Sequence, residues 1–84
     1  MKLVLIEWVD SYSSRGWKPL NDLIDECEPL LCRSVGWLAS EKNGSKLLVP
    51  HLSGENSNSI ITYGSGNITI PAKAIRKTTV LRKE

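Results

Sequence analysis

Between Gly66 and Leu81 the chain reads GNITIPAKAIRKTTVL, a strand pattern that runs into a proline and resumes almost at once as a second strand. Asn67 to Ile70 alternates polar and apolar side chains. Pro71 removes a backbone donor and fixes φ near the value that opens a 3-10 or type I turn, and Arg76 to Leu81 is again rich in β-formers. A last strand that leaves its predecessor through one tight helical turn crosses a small sheet and covers its open edge. The expected fold is therefore all-β with one short helix, a small five-stranded barrel.

Size and composition limit the function. Eighty-four residues allow a single domain over residues 1–84, with too few apolar side chains to build both a core and a large enclosed active site. The hydrophobic content of 40% and charged content of 24% are those of a folded domain, not a disordered tail. Phe is absent, so the three Trp are expected to supply much of the bulky core. The net charge of +2 is too small to hold nucleic acid by overall field. Its distribution is uneven: residues 1–30 hold three cations against six acids, and residues 31–84 hold eight cations against three acids. Leu3 to Ile6 is followed at once by Glu7 and Asp10, so neither a secretory h-region nor a membrane span is expected, and the expected location is the cytoplasm. Cys27 and Cys32 are then expected to be reduced thiols.

Lys2 to Asp10 reads as the first strand, with Val4, Ile6 and Trp8 pointing inward. Ser11 to Gly16 reads as a polar loop, and Asn21 to Glu26 as a turn or two of helix ended by Pro29 and docked through Leu20, Leu23 and Ile24. Leu31 to Ser40 is the second strand, in which Gly36 marks a bulge or a closely passing backbone. Asn43-Gly44 is the signature of a tight hairpin into a third strand, Lys46 to His51. Ser53 to Asn58 reads as a surface loop and Ser59 to Tyr63 as strand. Gly64 to Gly66 then marks either a bulge in one bent strand or a turn between two short ones.

Strand, long insertion, strand, Asn-Gly hairpin, strand, loop, strand, 3-10 turn, strand is an order that resembles the Src-homology-3-like barrel. The likeness is strongest over Gly66 to Ile75, where glycine, apolar residues, Ile-Pro and a turn precede the last strand. The acidic, tyrosine-rich first loop and the paired-aromatic groove of that family's peptide binders are missing, Tyr12 and Trp17 being a loose substitute, so recognition of proline-rich peptides is not carried over. A wider resemblance rests on Glu7-Trp8 with Asp10-Ser11, Gly16-Trp17, Cys32 with Ser34 to Trp37, Pro50-His51-Leu52 and Ile70-Pro71. These residues resemble small proteins encoded by bacteriophages and prophages. That implies an accessory protein in a host bacterial cytoplasm, where small barrels bind a host protein, a nucleic acid or a nucleotide signal.

Catalytic and metal chemistry find little footing. Zinc needs three or four ligands, and Cys27, Cys32 and the single histidine, His51, lack the spacing of a zinc knuckle. His51 has no oriented partner or nucleophile written nearby, and Asp22, Asp25, Glu26 and Glu28 on an exposed short helix have nothing to set their roles apart as acid and base. No cofactor, metal or catalytic residue is expected, and the chain is read as not an enzyme. Two groups carry more meaning. Tyr12, Arg15, Trp17 and Lys18 set aromatics beside cations in one loop, and Arg76, Lys77, Arg82 and Lys83 set cations around the last strand, where they could meet phosphates. The expected function is a non-catalytic module that occupies a site on a host protein through Tyr12 to Glu28, with the acids of the short helix steering it toward a basic partner. The alternatives are a homo-oligomer that sequesters a nucleotide signal of antiviral defence with the Tyr12, Arg15 and Trp17 loop, and a nucleic-acid-binding barrel that uses the last strand.

Overall fold

The computed structural model describes residues 1–11, 13–54 and 61–82. Lys2–Asp10, a run of β-branched and apolar residues, forms β1 and pairs antiparallel with β2 (Leu30–Lys42) along its whole length, from Lys2↔Leu38 to Asp10↔Leu30. Asn43 at φ 53° and Gly44 at φ 82° then reverse the chain in the two-residue turn expected of Asn-Gly, and β3 (Ser45–Val49) returns along β2. The ladder breaks at Pro50, which has no N–H to donate. Its register does not break. Lys46↔Ile70 and Leu48↔Ile68 join β3 to β6 (Ile68–Ile70), and His51↔Ser65 and Ser53↔Tyr63 join β4 (His51–Gly54) to β5 (Ile61–Ser65), one step forward matching one step back as far as Ser53, after which the register shifts to Gly54↔Ile61. Residues 45–54 and 61–70 therefore pair as the two sides of one bent hairpin, and the interruption near Gly64 to Gly66 is a bend between two short strands, β5 and β6, that keeps their register. Ser53 and Gly54, expected to open a loop, instead end β4, and the rest of that loop and the start of the next strand, residues 55–60, lie outside the described residues.

After β6, Pro71 caps a 3-10 turn, Ala72–Ala74, and β7 (Ile75–Arg82) pairs antiparallel with β1. The five-stranded sheet thus has the order β6-β3-β2-β1-β7, which puts two strands consecutive in sequence on opposite edges. β6 and β7 are not laddered to each other. The sheet is nevertheless rolled. In a flat sheet β3 and β7 would stand about 14 Å apart at about 4.8 Å per strand, yet Lys46 Nζ on β3 donates to Thr78 Oγ1 on β7 at 3.1 Å. The roll encloses Val4 and Ile6 of β1, Leu48 of β3 and Ile70 of β6, with Trp8, Leu38, Ile68, Ala74 and Ile75 packed around them.

Val4, Ile6 and Trp8 do face inward. The expectation of a Trp-built core is corrected: the buried hydrophobics are aliphatic, Val4, Ile6, Leu48, Val49 and Ile70, while Trp8 and Trp37 are half-buried and Trp17 is fully exposed. A roll this tight has room for branched aliphatic side chains at its axis and leaves indoles at its rim, where the Trp8 Nε1–H donates to Ser34 Oγ at 3.0 Å. Gly36 marks the closest approach. A Cβ there would lie 3.2 Å from Leu48 Cβ and 3.3 Å from the Val49 nitrogen, the passing backbone its position in the strand implies.

The whole is elongated, 60 × 24 × 21 Å with a radius of gyration of 17.2 Å, against about 12 Å for a compact chain of this length. The excess belongs to segments outside the roll, which divides stability from extension. Leu48→Ala and Ile70→Ala are each expected to cost about 2–5 kcal/mol in urea unfolding, whereas Leu20→Ala, outside the roll, stays within about 0.5 kcal/mol of the parent.

Candidate functional site

The β1–β2 ladder outruns its neighbours. On β1 the pairing with β7 ends at Trp8↔Ile75, and on β2 the pairing with β3 begins only at Trp37↔Val49, so the far ends of the two strands form a two-stranded stalk. The stalk carries the connection 11–29 as an arm. Within it, α1 (Leu20–Asp25) starts after Pro19 without a side-chain cap and buries no residue. This corrects the expected docking of the helix: Leu20, Leu23 and Ile24 are 70%, 38% and 60% exposed, and Trp17 is fully exposed. Glu26 to Pro29 connect the helix to the start of β2.

Of the residues expected to form a binding surface, Arg15, Trp17, Lys18, Asp22, Asp25, Glu26 and Glu28 all stand exposed on this arm, and Tyr12 lies outside the described residues. One ion pair is internal to it, Lys18 Nζ to Glu26 Oε2 at 3.7 Å. An open hollow of about 370 Å³ separates the outgoing chain (Ser11, Ser13, Ser14) from Leu23 and the returning Glu26 to Pro29. Among the described residues its lining includes two carboxylates and no cation, and neither Arg15 nor Trp17 borders it, so these two are not gathered into a phosphate pocket. Cys27 and Cys32 are free thiols, the first exposed and the second half-buried with Sγ donating to the Leu30 carbonyl at 3.7 Å.

The cations of the last strand are dispersed. Arg76 Nη1 donates to the Lys73 carbonyl at 3.0 Å, Lys77 stands opposite Glu7, Arg82 stands opposite Leu3, and Lys83 lies outside the described residues. His51 is exposed at the start of β4. Among the described residues no three His, Cys, Asp or Glu side chains come close enough to hold a metal ion, and no helix is long and apolar enough to cross a membrane.

A second surface was not read from the sequence. Residues directly opposite in an antiparallel pair share a face, so Leu3 with Trp37, Leu5 with Val35, Glu7 with Arg33 and Val9 with Leu31 form the side of the ladder turned away from the core. Leu31 and Val35 are 59% and 53% exposed, and Arg33 Nε meets Glu7 Oε1 at 3.2 Å between the apolar pairs. The signal was present as the near-continuous apolar run of β1, which suggests burial on both faces or a central place in the sheet; on the outer face Leu3, Leu5 and Val9 are half-buried while Leu31 and Val35 stay exposed. Ile61 and Tyr63 add exposed apolar area on the bent hairpin.

The chain matches no protein-family model, no curated protein and no solved structure. The site therefore stands on its geometry. Because Trp17 touches so little, Trp17→Ala at high dilution should leave the unfolding midpoint within about 0.5 kcal/mol of the parent, whereas Trp8→Ala, which removes core packing and the Ser34 hydrogen bond, should cost about 3 kcal/mol in the same measurement.

Proposed function

We propose that the chain is a non-catalytic binding module that seats its 11–29 arm on another protein. The observation that carries this reading is the exposure of Leu20, Leu23 and Ile24 on a helix of six residues that buries none of them, with Trp17 fully exposed just before it. An isolated helix that short is unstable in water, and apolar area of this kind on a soluble chain marks a contact surface. Leu20, Leu23 and Ile24 follow the i, i+3, i+4 spacing with which a helix enters an apolar groove. Asp22, Asp25, Glu26 and Glu28 surround those anchors with negative charge, which steers the arm toward a groove rimmed by Lys and Arg.

The setting comes from the resemblance to small bacteriophage and prophage proteins, supported by an order of elements like that of the Src-homology-3-like barrel with the bent hairpin added. In that setting the partner is a host protein of the bacterial cytoplasm, and occupying its site serves host takeover or counter-defence. The nucleotide-sequestering alternative loses support from the acidic lining of the arm's hollow. The nucleic-acid alternative loses support from the dispersal of Arg76, Lys77 and Arg82, and it predicts affinity that falls steeply with salt.

Replacing Asp22, Asp25, Glu26 and Glu28 together by Lys tests the arm. Affinity capture from a host lysate should lose the protein recovered by the parent chain, while the melting temperature at high dilution moves by less than about 4 °C, the equivalent of less than 1 kcal/mol in a domain this size. Capture at the parent level would exclude the arm as the contact surface.

A further inference from the structure

The chain holds two uncovered apolar surfaces of opposite charge. The arm presents Trp17, Leu20 and Ile24 among four acids, with Arg15 and Lys18 its only cations. The outer face of the β1–β2 ladder presents exposed Leu31 and Val35 beside half-buried Leu5 and Val9, with Arg33 and Lys77 next to the single acid Glu7. The two do not meet within one chain, since α1 is held at the stalk's end and leaves Leu31 and Val35 in the open.

We infer that, without its partner, the chain pairs with a second copy by reciprocal exchange, the arm of each lying on the outer sheet face of the other. The inference rests on the arm being the contact surface and adds its regulation: the site is covered in the dimer, and a partner protein must displace the second copy.

Two unlike patches on one chain that match each other close into a twofold dimer when each arm finds the other's face. The contact covers what each chain leaves open, and it sets Asp22, Asp25 and Glu28 near Arg33 and Lys77. A stable interface hides roughly 1,600 Å² in total, so each of two equal contacts needs about 800 Å² counted over both sides, and one indole such as Trp17 supplies about 150–250 Å² of it. Pairing through the free edge of β7 is the less favourable geometry, because it would bring Arg76, Lys77 and Arg82 of two copies together.

Sedimentation equilibrium of the whole chain over a concentration series reads the result. The parent should rise from 9.3 kDa to twice that mass. Leu20→Asp with Ile24→Asp on the arm, and separately Val35→Asp on the face, should each hold the mass at one chain, with unchanged circular dichroism because all three positions are exposed. An equimolar mixture of the two variants should regain mass above either alone, since it restores one of the two contacts. A parent that stays monomeric, a dimer indifferent to both variants, or a mixture no heavier than its components overturns the exchange. Partner capture separates this inference from the reading beneath it. The Val35→Asp chain should capture at least as much partner as the parent whereas the arm variant captures none; capture lost with Val35→Asp overturns the displacement of one copy by the partner, and capture kept by the arm variant overturns the arm itself.

Discussion

Ile70 packed against Val4 and Ile6 is the contact on which the architecture turns. In the hydrogen-bonded order, β6 and β1 are separated by β3 and β2, so a residue of the first reaches residues of the second only if the sheet rolls through that span. The roll follows from two local choices. Gly36 lets β3 press onto β2 without a side chain between them, and Pro71 turns the chain off the edge of β6 so that β7 can take the far side of β1. The 3-10 turn between them touches both β1 and β3, and its Ala72 N–H donates to Ser45 Oγ at 3.3 Å, which holds the crossover beneath the Asn43-Gly44 hairpin.

What the roll leaves outside follows the same logic. A five-stranded sheet rolled this tightly has an axis wide enough for a few branched aliphatic side chains, and those positions are filled by residues from β1, β3 and β6. The outer face of β1 and β2 and the arm at their ends cannot share that core. Their apolar side chains contribute little to the stability of a single chain and remain available for contact with another.

The framework was legible because it is written in short-range chemistry. Asn43-Gly44 demands positive φ, Pro71 demands a turn, and the alternation Val4, Ile6, Trp8 names the buried side of β1; each of these signals acts over a few residues and survives into the structure. The arm was legible as an insertion with its charges, but not in its placement. Leu20, Leu23 and Ile24 have the spacing of a docking face, and spacing alone says that a helix wants cover without saying whose. The same limit hid the outer sheet face: the run Leu3 to Ile6 reads as a strand buried on both faces or central in the sheet, β1 is paired on both edges, and only the structure shows Leu31 and Val35 exposed on its outer side. The Trp expectation failed for a geometric reason, since aromatic bulk was counted without asking whether an indole fits the axis of so narrow a roll.

The charge asymmetry gains meaning from this division. Were the acids of residues 1–30 spread around the roll, they would meet the cations of the later strands inside one chain and neutralise them as scattered surface pairs worth about 0–1 kcal/mol each. Instead four of the six are gathered on the arm, and of those four only Glu26 has a cation within ion-pair distance among the described residues. Separation of like charge onto an extended segment costs some self-repulsion and weakens the segment as an independent structure. It gains direction, because a field concentrated on one projecting element orients an encounter before contact is made. A short acidic helix with a bare apolar stripe is thus poorly suited to stabilise the chain that carries it and well suited to find and fill a basic-rimmed groove, whether that groove belongs to another protein or to a second copy of the same sheet.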